Sequence, residues 1–132
     1  YHIGRGEHKE AVKVIKKTLP MPLSIGRVCP AFCEAQCRRG LVDEPVAIRQ
    51  LKRHAADLDL HDLESYVPPR APATNKRIAI IGSGPAGLTA GYYLSNNGHD
   101  VTIMESAAKA GGWLRYGIPE YSLATDLRYK LA

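Results

Sequence analysis

The sequence predicts two joined units, a small all-helical one followed by the start of an α/β one. Three observations carry this. Apolar residues recur at helical spacing through the first half of the chain. The stretch VPPRAPATN, residues 67 to 75, then places three prolines among small polar residues. Beyond it, two short β-branched runs flank a glycine-rich turn and a helical segment. The boundaries follow: a helical domain over residues 1–66, a linker over 67–75, and an α/β unit over 76–132.

Within the first unit, His8, Ala11, Val12, Ile15 and Leu19 share one helical face, with Lys9, Lys13, Lys16 and Lys17 mostly opposite. This predicts an amphipathic helix over 6–18, stopped by Pro20 and Pro22. A second helix is predicted over 45–58. Asp43 and Pro45 supply its start signals, and Ile48, Leu51, Ala55 and Leu58 form its apolar stripe, with Arg49, Lys52 and Arg53 outside. Between the two, a short helical turn is expected over 31–39, closed by Gly40.

The chain has 132 residues, 45% of them hydrophobic and 23% charged, the balance of a soluble globular chain able to form one ordinary domain or two small ones. No apolar run is long enough to span a membrane. The opening YHIGRGEHKE has neither a start methionine nor a signal-peptide core, so it reads as the middle of a longer protein, with a cytoplasmic location as the default. The net charge of +5 is spread evenly: residues 1–70 hold 12 Lys and Arg against 9 Asp and Glu, and the remainder holds 6 against 4. No basic stripe with stacking aromatics emerges, so no nucleic-acid partner is expected. Lys16-Lys17 and Arg38-Arg39 read as solvated faces. The five histidines show no metal-ligand spacing or paired carboxylate, and no catalytic acid, base or nucleophile is expected.

GRVCPAFCEAQCRRG, residues 26–40, holds the only three cysteines, Cys29, Cys33 and Cys37, each four residues from the next. A tetrahedral zinc site wants four ligands and a disulfide framework an even count. On a helical turn, Cys33 and Cys37 would share a face, and thiolates so held bind soft metals. Pro30 after Cys29 is similar to the Cys-Pro pairs of ferredoxin-type iron–sulfur sites. A zinc site or simple burial of the thiols would be the alternatives.

KRIAIIGSGPAGLTAGYYL begins the second unit with a β-run from Arg77 to Ile81. Gly82, Gly84 and Gly87 follow in G-x-G-x-x-G spacing, then a helical stretch to about Asn97. VTIME supplies a second, parallel and adjacent strand that ends at Glu105. The order of these parts matches a dinucleotide-binding fingerprint: Gly82 for the tight turn, Gly84 for close approach to a pyrophosphate, Gly87 for helix–strand packing, and helix amides for the phosphates. Ser83, Pro85 and Ala86 complete the loop. A carboxylate at Glu105 can accept bonds from both ribose hydroxyls and disfavours a 2'-phosphate, which points to FAD or NAD rather than NADP in this site.

Taken together, these residues resemble the N-terminal part of the small (beta) subunit of NADPH-dependent glutamate synthase and its relatives, including the iron–sulfur and FAD region of dihydropyrimidine dehydrogenase. GRVCPAFCEAQCRRG with DEPVAIRQLKRHAAD is similar to the family's helical cluster domain, and GSGPAG, Glu105 and GGWLRYGIPEY, residues 111–121, to its FAD site. The resemblance implies an α-helical ferredoxin-type domain ahead of a Rossmann-like FAD domain. It implies Cys29, Cys33 and Cys37 as ligands of 4Fe-4S clusters, sharing that task with cysteines upstream of Tyr1. It also implies FAD at the glycine loop with Gly111, Gly112 and Trp113, and an NAD(P)H site beyond this sequence. Electrons would pass from NAD(P)H through FAD and the clusters to a partner subunit or domain, such as a glutamate synthase large subunit. Two departures stand out. Lys52, which cannot ligate iron, replaces a Gln or Glu ligand of some relatives. Ser122-Leu123-Ala124 stands where relatives commonly carry Arg-Leu-Pro. A flavin-free NAD dehydrogenase and a zinc-stapled interaction module are the competing readings.

Overall fold

The structure, a computed structural model, describes residues 1–124; the expected continuation of the α/β unit over 125–132 lies outside the described residues. The chain divides after Tyr66 into two compact units.

The first unit is helical. It contains α1 (His8–Lys16), α2 (Pro22–Val28), α3 (Phe32–Ala35) and α4 (Ile48–His61), with 3-10 turns at Ile3–Arg5 and Arg38–Leu41. Its core is Ala11 and Val12 of α1 against Ala55 of α4, bordered by Ile3, Ile15 and Tyr66. The predicted inner face of α1 is the observed one. Lys16 is not on a solvated face, however: its ammonium lies 2.7 Å from Asp59 of α4 and donates to the Tyr66 carbonyl at 2.7 Å.

Three further expectations need correction. Pro22 does not stop a helix but starts α2 as its first residue, a position where the missing N–H costs nothing. The turn expected over 31–39 is broken: α3 ends at Ala35, and Cys37 is extended (φ −70°, ψ 120°) before the 3-10 turn that contains Gly40. Cys33 and Cys37 therefore do not share a face of one helix. Finally, α4 starts and ends three residues later than expected and is rotated. Of the predicted stripe only Ala55 is buried, joined by Ala56, while Ile48, Leu51 and Leu58 are each more than a third exposed. α4 is approached from two sides, by Ala11 and Val12 of α1 at Ala55 and by α2 at Arg53. A Cβ placed on Gly26 of α2 would lie 2.9 Å from the Arg53 Cα of α4, a crossing that large side chains would prevent. Asp57 secures this crossing by accepting from Arg27 at 2.6 Å, with Arg53 at 3.5 Å.

The second unit holds β1 (Arg77–Ile81), α5 (Pro85–Asn96), β2 (Asp100–Met104) and the short α6 (Trp113–Tyr116). The strands pair parallel, Arg77 opposite Asp100 through Ile81 opposite Met104. A parallel pair needs a crossover, and α5 provides it. Gly91 lets α5 lie on the sheet: a Cβ there would come within 2.8 Å of Ile103 Cδ1. The proline-rich stretch is docked on the α5–β2 turn, with Ala71 N–H bonded to Asn96 O (2.7 Å) and Thr74 N–H to Gly98 O (3.0 Å).

Candidate functional sites

The glycine loop sits between the end of β1 and the start of α5, at the carboxyl edge of the parallel pair. Gly82 has φ +93°, the left-handed region that favours glycine, and its N–H bonds Met104 O at 2.7 Å, closing the turn against β2. Gly87 packs so tightly that a Cβ would stand 2.0 Å from Gly82 O. Gly84 differs: a Cβ there would meet no atom of the described residues within 4 Å beyond its chain neighbours, so the space over it is open. Pro85 heads α5 and has no N–H, and helix geometry leaves the Ala86 and Gly87 amides without intrahelical acceptors.

Ser83, 2% exposed, organises the site. Its backbone N–H donates to Glu105 Oε2 at 2.9 Å, and its hydroxyl donates to the same oxygen. Ala107 N–H donates to Glu105 Oε1 at 2.8 Å. These bonds, that from Ala107 first and those from Ser83 next, hold the Glu105 carboxyl down to about 2, well below its ordinary value of 4.5. The acid is thus fixed in its charged form directly beside the loop.

The 111–117 segment closes on the same place. Gly111 N–H donates to Ser83 O at 3.0 Å, and a Cβ on Gly112 would lie 2.8 Å from Gly84 Cα. Within α6, Leu114 is buried, while Trp113 is 78% exposed. Ser83, Gly84, Glu105, Gly111 and Gly112 are therefore neighbours, although almost 30 positions of sequence separate the first from the last. Ser122 N–H and Leu123 N–H bond Pro119 O (3.0 and 3.1 Å), and Leu123 is fully buried, so this departure segment serves the local turn.

The second candidate site is the cysteine segment. All three thiols are free; Cys29 and Cys37 are half-buried and Cys33 is exposed. Among the described residues, no three His, Cys, Asp or Glu side chains converge to hold a metal ion by themselves. The donor chemistry nonetheless suits a soft metal. Ala31 N–H points at Cys29 Sγ (3.4 Å), and backbone N–H groups, that of Val46 foremost and those of Arg39 and Gly40 after it, pull the Cys37 thiol below its ordinary value. Ala31 itself adopts a left-handed conformation, φ 58°, which costs a non-glycine residue energy.

Sequence reasoning missed the residues that anchor this segment. Glu34 Oε1 accepts the Arg49 backbone N–H at 2.7 Å, and the Arg49 guanidinium donates to Cys29 O at 3.2 Å. The available signal was negative: α4 begins after Ala47, which offers no side-chain cap.

Comparison with known proteins finds two matching families. The family described as dihydropyrimidine dehydrogenase domain II, 4Fe-4S cluster, matches residues 1–63, and the NAD(P)-binding Rossmann-like domain family matches residues 80–125. The chain is 43% identical to the glutamate synthase [NADPH] small chain of Bacillus subtilis, over 90% of this chain and 24% of that protein. It is 39% identical to the NADP(+)-dependent formate dehydrogenase subunit beta of Moorella thermoacetica (92% and 20%). It is 42% identical to the NAD-dependent dihydropyrimidine dehydrogenase subunit PreT of Escherichia coli (87% and 28%). The chain thus spans between a fifth and just over a quarter of the length of these relatives. No helix among the described residues is long and apolar enough to cross a membrane. With an iron–sulfur domain and a Rossmann-like domain in this order, the chain belongs to the family of the glutamate synthase small subunit and its dihydropyrimidine dehydrogenase-like relatives.

Proposed function

We propose that this chain helps to pass electrons from NAD(P)H, by way of FAD, to 4Fe-4S clusters and on to a partner subunit or domain, as a part of an oxidoreductase. One observation carries the FAD reading. The segment Gly111–Gly117 is seated on the glycine loop, through Gly111 on Ser83 and Gly112 against Gly84, and a simple NAD-binding turn has no need of such a second wall. The names of the relatives, which describe them as subunits or small chains that use NADPH, NADP(+) or NAD, support a partner.

We assign the roles as follows, with the geometry of the glycine loop in support. The open space over Gly84 and the amides of Ala86 and Gly87 suit a pyrophosphate, to which the start of α5 adds its positive end. Glu105, held charged, would accept from ribose hydroxyls. Gly82 and Gly87 shape the loop, while Ser83 and Pro85 hold it. Gly111, Gly112 and Trp113 would border the flavin. Cys29, Cys33 and Cys37 would supply thiolates to the clusters, with further ligands from elsewhere in the protein. Bound at these places, FAD and the clusters would convert a two-electron donor into single electrons, so the protein is asked only to place them and set their potentials.

The test is anaerobic titration of the full-length protein with NADH and NADPH. Bleaching of flavin absorbance together with the electron paramagnetic resonance (EPR) signal of a reduced cluster is the expected result. A protein with neither flavin nor cluster signal would refute the reading.

A further inference from the structure

The cysteine segment has an inward and an outward side. Cys29, Ala31, Glu34 and Cys37 are half-buried, whereas Pro30, Phe32, Cys33, Ala35 and Gln36 are exposed. Residues 46 to 49 hold the inward side. Val46 N–H points at the Cys37 sulfur, Arg49 N–H donates to Glu34 Oε1, and the Arg49 guanidinium donates to Cys29 O. These are the residues that open α4.

A helix start leaves orphan N–H groups, and the second helical residue is one that an N-cap side chain normally serves. Ala47 cannot serve it, and Glu34, 15 residues upstream, does so instead. A carboxylate at a helix N-terminus also gains from the helix dipole, so the contact is charge-assisted twice over.

We infer that Glu34 and Arg49 are positioning residues that clamp the cysteine segment onto the first turn of α4, fixing the spacing and orientation of Cys29 and Cys37 while Cys33 stays outward. The inference rests on the proposal that these thiols are cluster ligands. In that role the clamp would act as supports do in other metal sites, where partners that touch no metal hold the ligands in place.

The experiment uses the full-length protein, purified anaerobically, in four variants: Glu34→Ala, Glu34→Gln, Arg49→Leu and Cys37→Ser. Iron and sulfide content, the EPR line shape of the reduced cluster and the rate of iron release to bathophenanthroline are measured, with bound flavin as the check on folding. Glu34→Ala is expected to release iron roughly tenfold faster, the factor that loss of one helix cap corresponds to, and to change the EPR line shape. Glu34→Gln, which keeps a carbonyl acceptor, should restore both. Arg49→Leu, which keeps its backbone N–H, should give a smaller change in the same direction. Cys37→Ser should lose cluster outright. Unchanged release and line shape in Glu34→Ala and Arg49→Leu, with cluster lost in Cys37→Ser, would overturn the clamp and leave the ligand reading standing. Full iron and sulfide in Cys37→Ser would overturn the ligand reading and the clamp with it. If Glu34→Ala does not fold, Arg49→Leu decides by the same readouts: faster iron release with a changed line shape supports the clamp, and wild-type behaviour overturns it.

Discussion

Ser83 and Glu105 are joined twice, with both the backbone N–H and the hydroxyl of the serine donating to one carboxylate oxygen, Oε2. The link ties the glycine loop to the end of β2, so the groups proposed to meet pyrophosphate and ribose move as one body. It also has a pH consequence. A carboxyl held at about 2 against an ordinary 4.5 contributes stability that is fully present above about pH 4.5 and is lost as pH falls through about 2. Replacing Ser83 with Ala removes one of the two bonds and should raise the Glu105 carboxyl toward its ordinary value. Titration of 13C-labelled glutamate carboxyls would show it; an unmoved Glu105 would mean that the backbone N–H groups of residues 107 and 83 set its acidity without the hydroxyl.

The two inner glycines of the loop should respond differently to the same change. Gly87→Ala forces a Cβ to within 2.0 Å of Gly82 O, so it should cost about 1 to 3 kcal/mol and loosen the whole second unit. Gly84→Ala places its Cβ in open space and should leave the melting temperature nearly unchanged. Thermal melts of the two variants, read side by side, check the distinction.

Ala31 carries strain that glycine would relieve. At φ 58° an alanine pays roughly 1 kcal/mol that glycine does not. Ala31→Gly should therefore stabilise the native state slightly, offset in part by added freedom in the unfolded chain. A clear loss of stability in denaturant would show that the alanine methyl makes contacts worth more than the strain.

The partly buried pair of Lys16 and Asp59 joins α1 to α4. Lys16→Met keeps most of the stem but removes the ammonium bonds to Asp59 and to Tyr66 O, and it should cost about 2 kcal/mol. Asp59 keeps its bond from Tyr66 N–H, so the unit should still fold. Chemical denaturation measures this, and a change below about 0.5 kcal/mol would class the pair with ordinary surface bridges.

Legibility differed between the two units for physical reasons. In the second, strand, turn and helix are local and each is encoded by adjacent residues, so β1, α5, β2 and their parallel pairing could be read directly. In the first, the decisive contacts are between helices. Of the predicted stripe Ala55 is buried, against Ala11 and Val12 of α1, whereas Ile48, Leu51 and Leu58 stay outside and the unpredicted Ala56 is buried, because a rule that weights large aliphatic residues does not foresee helices that approach as closely as Gly26 and Arg53 do. Pro22 read as a stop because proline signals both the end of one helix and the start of the next. Glu34 was invisible as a cap because the helix it serves begins 14 residues later. The residues of the nucleotide site were nameable one by one, but not the seat of Gly111 and Gly112 on Ser83 and Gly84, which depends on how the chain returns after β2.

The central claim is that the glycine loop serves FAD. It is tested most directly by measuring bound FAD in the full-length protein carrying Gly84→Val or Glu105→Ala, with pyridine-nucleotide binding measured in the same samples. Valine at Gly84 would fill the space over the loop and should abolish FAD retention while the fold persists. Loss of the Glu105 carboxylate should weaken FAD by roughly one to two orders of magnitude, as expected for one charge-assisted bond. If both variants keep FAD at wild-type affinity and lose only NAD(P)H binding, the loop serves the pyridine nucleotide and the FAD assignment is contradicted.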